Sequence, residues 1–131
     1  MEKIEIKTKN RMEFVDITEK IRGIAEKCAV PDGLCVLFCP HTTAGLTINE
    51  NADPAVKEDM LAAFTKLVPL SGGYTHSEGN SDSHIKSSIF GQSLSIIVEN
   101  RQLMLGAWQG IYFCESDGPR LRELWVKFIS G

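Results

Sequence analysis

Most features that would point quickly to a function are missing from this sequence. It has no block of like charge: 14 basic and 17 acidic residues leave a formal net charge of −3. A phosphate backbone asks for a basic face, so no nucleic-acid partner is expected. No apolar run approaches the ~20 residues needed to span a bilayer. The opening MEKIEIKTKN lacks the apolar stretch of a secretory signal. No membrane partner is expected, and the cytoplasm is the expected compartment. No internal repeat, low-complexity tract or linker divides the chain, so residues 1–131 read as a single domain. Cysteine is sparse, with four residues. Cys35 and Cys39 fall on one strand-like segment, ~13 Å apart at the usual rise, beyond the ~7 Å reach of a disulfide. Their C-x₃-C spacing has no second cysteine pair to complete a zinc knuckle. With Cys28 on the apolar face of a helix and Cys114 in a strand, all four are expected as reduced thiols packed like small hydrophobes.

What is present is a globular pattern, with 43% hydrophobic residues. KIEIKT alternates as a half-exposed strand, and MEFVDI is expected to pair with it across the turn at Asn10. Thr18 can cap a helix whose apolar face is Ile21, Ile24, Ala25 and Cys28. LCVLFC is apolar on both faces, which marks either a central strand covered on both sides or one facing a partner subunit. GLTINE reads as the next strand. Asp53-Pro54 then opens a helix with buried stripe Val56, Met60, Leu61, Phe64 and Leu67. HIKSSIFG suggests a short helix stopped by Gly91. SLSIIV, LGAWQGIYFCE and LRELWVKFIS read as strands, and short turns suggest a meander. The expected class is α+β: a compact domain with a largely antiparallel sheet or sandwich and two or three helices.

The chemistry gathers around three histidines in loop-like places. His41 follows Pro40 at a strand end; His76 and His84 flank the polar stretch YTHSEGNSDSHIKSS. Asn49, Glu50 and Asp53 follow the first, and Glu78, Asn80 and Asp82 lie between the other two. Imidazole with carboxylate suits a divalent metal or an acid–base pair. The eight-residue spacing of His76 and His84 is no local metal motif, so only tertiary folding could bring the ligands together. Solvated loop histidines are the plainer alternative. Against that reading stands the length of the loop, since long structureless loops in compact domains tend to be functional. Thr42 and Thr43 offer hydroxyls to a phosphate or to a turn. Trp108 beside Gln109 suits the core or a flat pocket. Arg120 reads as a solvated strand-end cation rather than an anion clamp.

Three segments, PHTTAGLTINENADP, HSEGNSDSHIKSSIFGQSLSI and LGAWQGIYFCESDGPR, resemble the YjbQ-like proteins, named secondary thiamine-phosphate synthases. The resemblance runs in order through nearly the whole chain. It implies an α+β fold assembled as a homotrimer, with an active-site region near subunit contacts. The family's G-T-W-Q is here Gly106-Ala107-Trp108-Gln109. The resemblance also implies weak thiamine-phosphate synthase activity on a small phosphorylated substrate, the native substrate being open. A thiazole phosphate would displace pyrophosphate from an aminopyrimidine diphosphate. Expected catalytic residues are Glu78, Asp82, His84 and Glu50; expected substrate contacts are Thr42, Thr43, Asn49, Trp108 and Gln109. His41, His76 and His84 are the expected ligands of a divalent metal, zinc or magnesium. The rival expectation is a trimer that binds a metal or small ligand without turnover.

Overall fold

Period-two alternation in the short segments produces two sheets, and every strand pairing in them is antiparallel. The computed structural model describes residues 1–131. In chain order the elements are β1 (Glu2–Lys7), β2 (Glu13–Asp16), α1 (Thr18–Lys27), β3 (Gly33–Phe38), β4 (Ala44–Glu50), α2 (Pro54–Leu67), α3 (Ser81–Phe90), β5 (Ser93–Glu99), β6 (Gln102–Leu103), β7 (Gln109–Glu115) and β8 (Leu121–Ser130). One sheet runs β1-β8-β3-β5-β6 and the other β2-β7-β4. This is the expected α+β domain, with three helices. No helix is long and apolar enough to cross a membrane.

The inner faces of the two sheets meet in one core. Cys35, Leu37, Ile96, Leu124 and Val126 come from the larger sheet, and Leu46, Ile111 and Phe113 from the smaller. Ile17, Ile21 and Ala25 close one side of it from α1 and its approach. The far face of the smaller sheet carries Phe14, Tyr112 and Cys114, against which Met60, Leu61 and Phe64 of α2 and Phe90 of α3 pack. β7 is therefore buried on both faces, as IYFC demands. β3 is central, as LCVLFC suggests, but only its Cys35 and Leu37 side is covered. Leu34 and Phe38 face outward beside Ile97, Trp125 and Ile129.

Several expectations are corrected. β1 pairs with β8 and β2 with β7, so the first two strands lie in different sheets rather than in a hairpin. The last strands form no meander: β7 crosses to the smaller sheet, and only β5–β6 is a hairpin, turned by Asn100 and Arg101 at positive φ. Alternation reports which face of a strand is buried, not which strand lies beside it. Trp108 precedes β7 in a turn and is 68% exposed. The expected stripe of α2 is only partly covered: Val56, Met60, Leu61 and Phe64 are half-buried, Leu67 is exposed, and no residue of the helix is fully buried. Thr18 is the first residue of α1, not its cap; its N–H donates to the Asp16 carboxylate at 2.9 Å. Asp53 does cap α2, accepting from Ala55 N–H at 2.9 Å. Cys35, Cys39 and Cys114 are buried free thiols, and Cys28 is partly exposed.

α3 lies against β4 at Gly45, where a Cβ would come 2.6 Å from the Gly91 carbonyl oxygen and 2.9 Å from Phe90 Cβ. Gly45→Ala therefore has to push the end of α3 off the sheet. A loss of about 1–3 kcal/mol is expected in urea unfolding. An unchanged midpoint would mean the helix is not seated on Gly45.

Candidate active site

α3 meets the body of the protein through a polar face. Asp82, Ser83, Lys86 and Ser87 are all buried. Their spacing of i, i+1, i+4 and i+5 puts them on one side of the helix. Asp82 accepts two hydrogen bonds from Arg11, at 2.9 and 3.0 Å, and one from Lys86 Nζ at 3.1 Å. Burial alone would raise the pKa of Asp82, but these partners hold it below the usual carboxylate range. The Ser83 hydroxyl donates to the Ser116 carbonyl and the Ser87 hydroxyl to the Ala44 carbonyl. Asp82 was an expected catalytic group; enclosed between two cations, it instead anchors the helix that carries His84. Ile85 and Ile89 face away from the protein, 39% and 50% exposed.

His84 is the shared wall of three depressions. The first lies against Tyr74 and His76, the second against Phe38, His41 and Ser88, and the third against His41, Thr42, Glu78 and Arg120. The third, of about 340 Å³, has no hydrophobic residue in its lining. A larger depression beside α1 holds none of the histidines. His76 meets His84 edge to face at 5.4 Å between ring centroids, with His76 Nε2 3.7 Å from Glu78. In the strand register, Pro40 would follow opposite Glu123 but has no N–H to give. The His41 ring takes that place: its Nε2 lies 3.0 Å from Glu123 N and 3.1 Å from Glu123 O. It accepts from the N–H in one tautomer and donates to the carbonyl in the other. Burial, then the charge of Arg122, lowers the His41 pKa, against the opposing contact with Glu123.

Behind the third cleft, Arg122 of β8 meets Glu115 of β7, both buried. Glu115 also accepts from the Thr8 hydroxyl at 2.8 Å and from Ser116 N–H and Asp117 N–H at 3.1 Å. Arg122 Nε donates to Glu115 at 2.8 Å and Nη2 to the Thr43 hydroxyl at 2.8 Å. Thr43 thus holds the arginine rather than a substrate, while Thr42 is exposed on the cleft. Arg120 is half-exposed on the cleft, bonded to Asp117 at 2.9 Å. Arg122, Glu115 and Arg11 border the cleft or its supports and were missed by motif reading. A signal existed for Arg122: it shares strand parity with Leu124 and Val126, an inward position for a charge.

The remaining candidates lie elsewhere. Ala44 pairs with Glu115 at the cleft end of β4, and Glu50 with Gln109 at the other end, ~20 Å away along the strand. Glu50, Asn49, Trp108 and Gln109 therefore do not join the histidines within one chain. Gln109 accepts from Gly106 N–H at 2.8 Å, and Asn49 donates to Met60 Sδ at 3.3 Å. The expected metal also finds no donor set in one chain: no three His, Cys, Asp or Glu side chains are placed to share an ion. His41 turns Nε2 to the backbone, which leaves Nδ1 toward any ligand, Asp82 is occupied by cations, and the His76–His84 pair lies beside Glu78.

A family model described as "UPF0047 protein YjbQ-like" matches residues 2–131. A UPF0047 protein of Methanocaldococcus jannaschii is 53% identical over 127 residues, covering 97% of this chain and 92% of that protein. The UPF0047 protein YugU of Bacillus subtilis is 49% identical over 127 residues, covering 96% of each. Among solved structures, a YjbQ/UPF0047 family protein of Clostridium acetobutylicum has a TM-score of 0.95 at 52% identity, covering 98% of this chain and 100% of that one. A YbjQ-like protein of unknown function from Sulfolobus solfataricus has a TM-score of 0.94 at 29% identity, covering 99% of this chain and 96% of that one.

The lowered pKa of His41 links stability to pH. The unfolded chain, with an ordinary histidine near 6.5, binds the proton more readily than the folded one. The contribution is full above that value and is lost as pH falls toward the lower native midpoint. His41→Gln should flatten the stability profile in that window, and NMR titration of His41 should give a midpoint below 6.5. A midpoint at or above the ordinary value would contradict the geometry.

Proposed function

Because the chain belongs to the YjbQ-like UPF0047 family, we propose that it is an enzyme acting on a small phosphorylated substrate in the all-polar cleft, with weak thiamine-phosphate synthase activity. The observation that carries the proposal is the pairing of Arg120 and Arg122 with His41, His84, Thr42 and Glu78 around one small cavity. In the reaction, the ring nitrogen of a thiazole phosphate attacks the methylene carbon of an aminopyrimidine methyl diphosphate. The new N–C bond forms as the C–O bond breaks, and pyrophosphate leaves with the electron pair. The chemistry needs charge neutralisation more than covalent help. Arg120 and Arg122 serve the phosphoryl oxygens, with His84 and Thr42 as further hydrogen-bond donors. Glu78, at the cleft mouth, is the acid–base group. A divalent metal has no step assigned here, since one chain supplies no matching donor set.

The chain assembles as a homotrimer in this proposal. Two uncovered apolar surfaces support it: Leu34, Phe38, Ile97 and Ile129 on the outer face of the larger sheet, and Ile85 and Ile89 on α3. A second copy covers them, and the Trp108, Gln109, Asn49 and Glu50 end of one subunit completes the histidine cleft of the next. Free thiols suit a reducing compartment, the cytoplasm.

One observation favours the rival reading, a trimer that binds a ligand without turnover. The cleft's two arginines face Glu78 and Asp117, with Glu115 behind. Two cations against three carboxylates give little net positive potential for a diphosphate, which fits slow turnover or none.

Product formation from the two substrates separates the readings. His84→Ala should slow it by about 100-fold or more. Mixing inactive His84→Ala with inactive Trp108→Ala subunits should restore part of the rate through hybrid sites. No product from the unsubstituted protein favours the binding reading; no recovery on mixing removes the shared site.

A further inference from the structure

We propose that the ligand of the all-polar cleft is a small phosphomonoester that also carries a protonated amine. Its phosphate lies on the Arg120–Arg122 wall and its ammonium on Glu78 and Asn80. The inference rests on the cleft being the substrate site and narrows what that site accepts.

The donor wall is built, not incidental. Arg122 is 95% buried, from a relative exposure of 5%. Its Nε and Nη2 are consumed by Glu115 and Thr43, while Nη1 has no hydrogen-bond partner in the chain. Arg120 repeats the arrangement. Its Nε donates to the Asp117 carbonyl at 2.8 Å and Nη2 to the Asp117 carboxylate at 2.9 Å, again leaving Nη1 unpartnered. Each guanidinium is thus oriented along one edge by protein oxygens and keeps donors for a tetrahedral anion.

A neighbouring group, sharing an Asp117 oxygen with Arg120, accepts. Asn80 Nδ2 donates to Asp117 Oδ2 at 2.9 Å, which fixes the amide, and its buried Oδ1 has no donor. An orphaned buried acceptor is costly, and a ligand N–H relieves it. Glu78 is largely exposed, and the His76 imidazole beside it stays 3.7 Å away, beyond hydrogen-bond distance. Asp117 and Glu115 are already paired with Arg120 and Arg122, which leaves Glu78 as the carboxylate available to a positive group on the ligand. A depression of about 340 Å³ matches the size of a small ligand.

Calorimetric titration of the full chain with O-phosphoethanolamine, inorganic phosphate and ethanolamine tests the proposal. Phosphoethanolamine should bind at least ~10-fold more tightly than inorganic phosphate, and ethanolamine should not bind. Glu78→Gln should erase the preference and leave phosphate affinity in place. Arg120→Gln, at an exposed position that does not endanger folding, should weaken both phosphate ligands. Equal affinities, or a preference that survives Glu78→Gln, would overturn the amine half while leaving the phosphoryl site standing. No binding of either phosphate ligand at about 10 mM would overturn the proposal and remove the cleft as a substrate site.

Discussion

The buried pair of Glu115 and Arg122 is the constraint on which the functional end of the molecule depends. Glu115 closes the smaller sheet and Arg122 opens the last strand of the larger, so the pair ties the two sheets together where their apolar core runs out. Such a pair adds little net stability, because desolvation offsets most of the attraction, but losing one partner strands a buried charge. Thr8 and two backbone N–H groups also bond Glu115, and Thr43 holds Arg122 Nη2, so only Nη1 of the guanidinium stays unpartnered. What the arrangement supplies is position: a guanidinium that cannot swing away, with one edge directed at a polar cleft.

The same logic places His84. α3 is an amphipathic helix turned inside out, with its charged and hydroxyl residues against the sheet and its isoleucines toward solvent. Directional bonds to Arg11 and from two serines fix its rotation more tightly than a greasy face would. His41 is held by a different device. A proline interrupts the ladder, and the next residue's ring occupies the vacated backbone groups of Glu123. Arg122, His41 and the helix that carries His84 are therefore each fastened by hydrogen bonds to a neighbouring element.

Much of this was legible in the sequence. The Asp53-Pro54 helix start, the central LCVLFC strand and the gathering of His41, Glu78 and His84 in motif segments are all local signals. Strand neighbours were not legible, because β7 reads the same in either sheet. Asp82 reads as chemistry because an acid among histidines in a polar stretch suggests solvent exposure; the tertiary partner Arg11, with Lys86 one turn along the helix, reverses that. Trp108 suits the core or a pocket on sequence alone, and its exposed place in a turn removes the core reading. Arg122 was visible in the alternation of LRELWV, but a charge at an inward strand position gains meaning only once its partner, Glu115, is known.

Diffraction from crystals soaked in inorganic phosphate would test most directly whether the Glu115–Arg122 pair aims a donor edge into the cleft. The expected result is tetrahedral density within hydrogen-bond distance of Arg122 Nη1 and Arg120 Nη1, ~2.7–3.2 Å, with the Glu115 contacts unchanged. Phosphate bound elsewhere, or an Arg122 that leaves Glu115 to reach it, would contradict a prepositioned site.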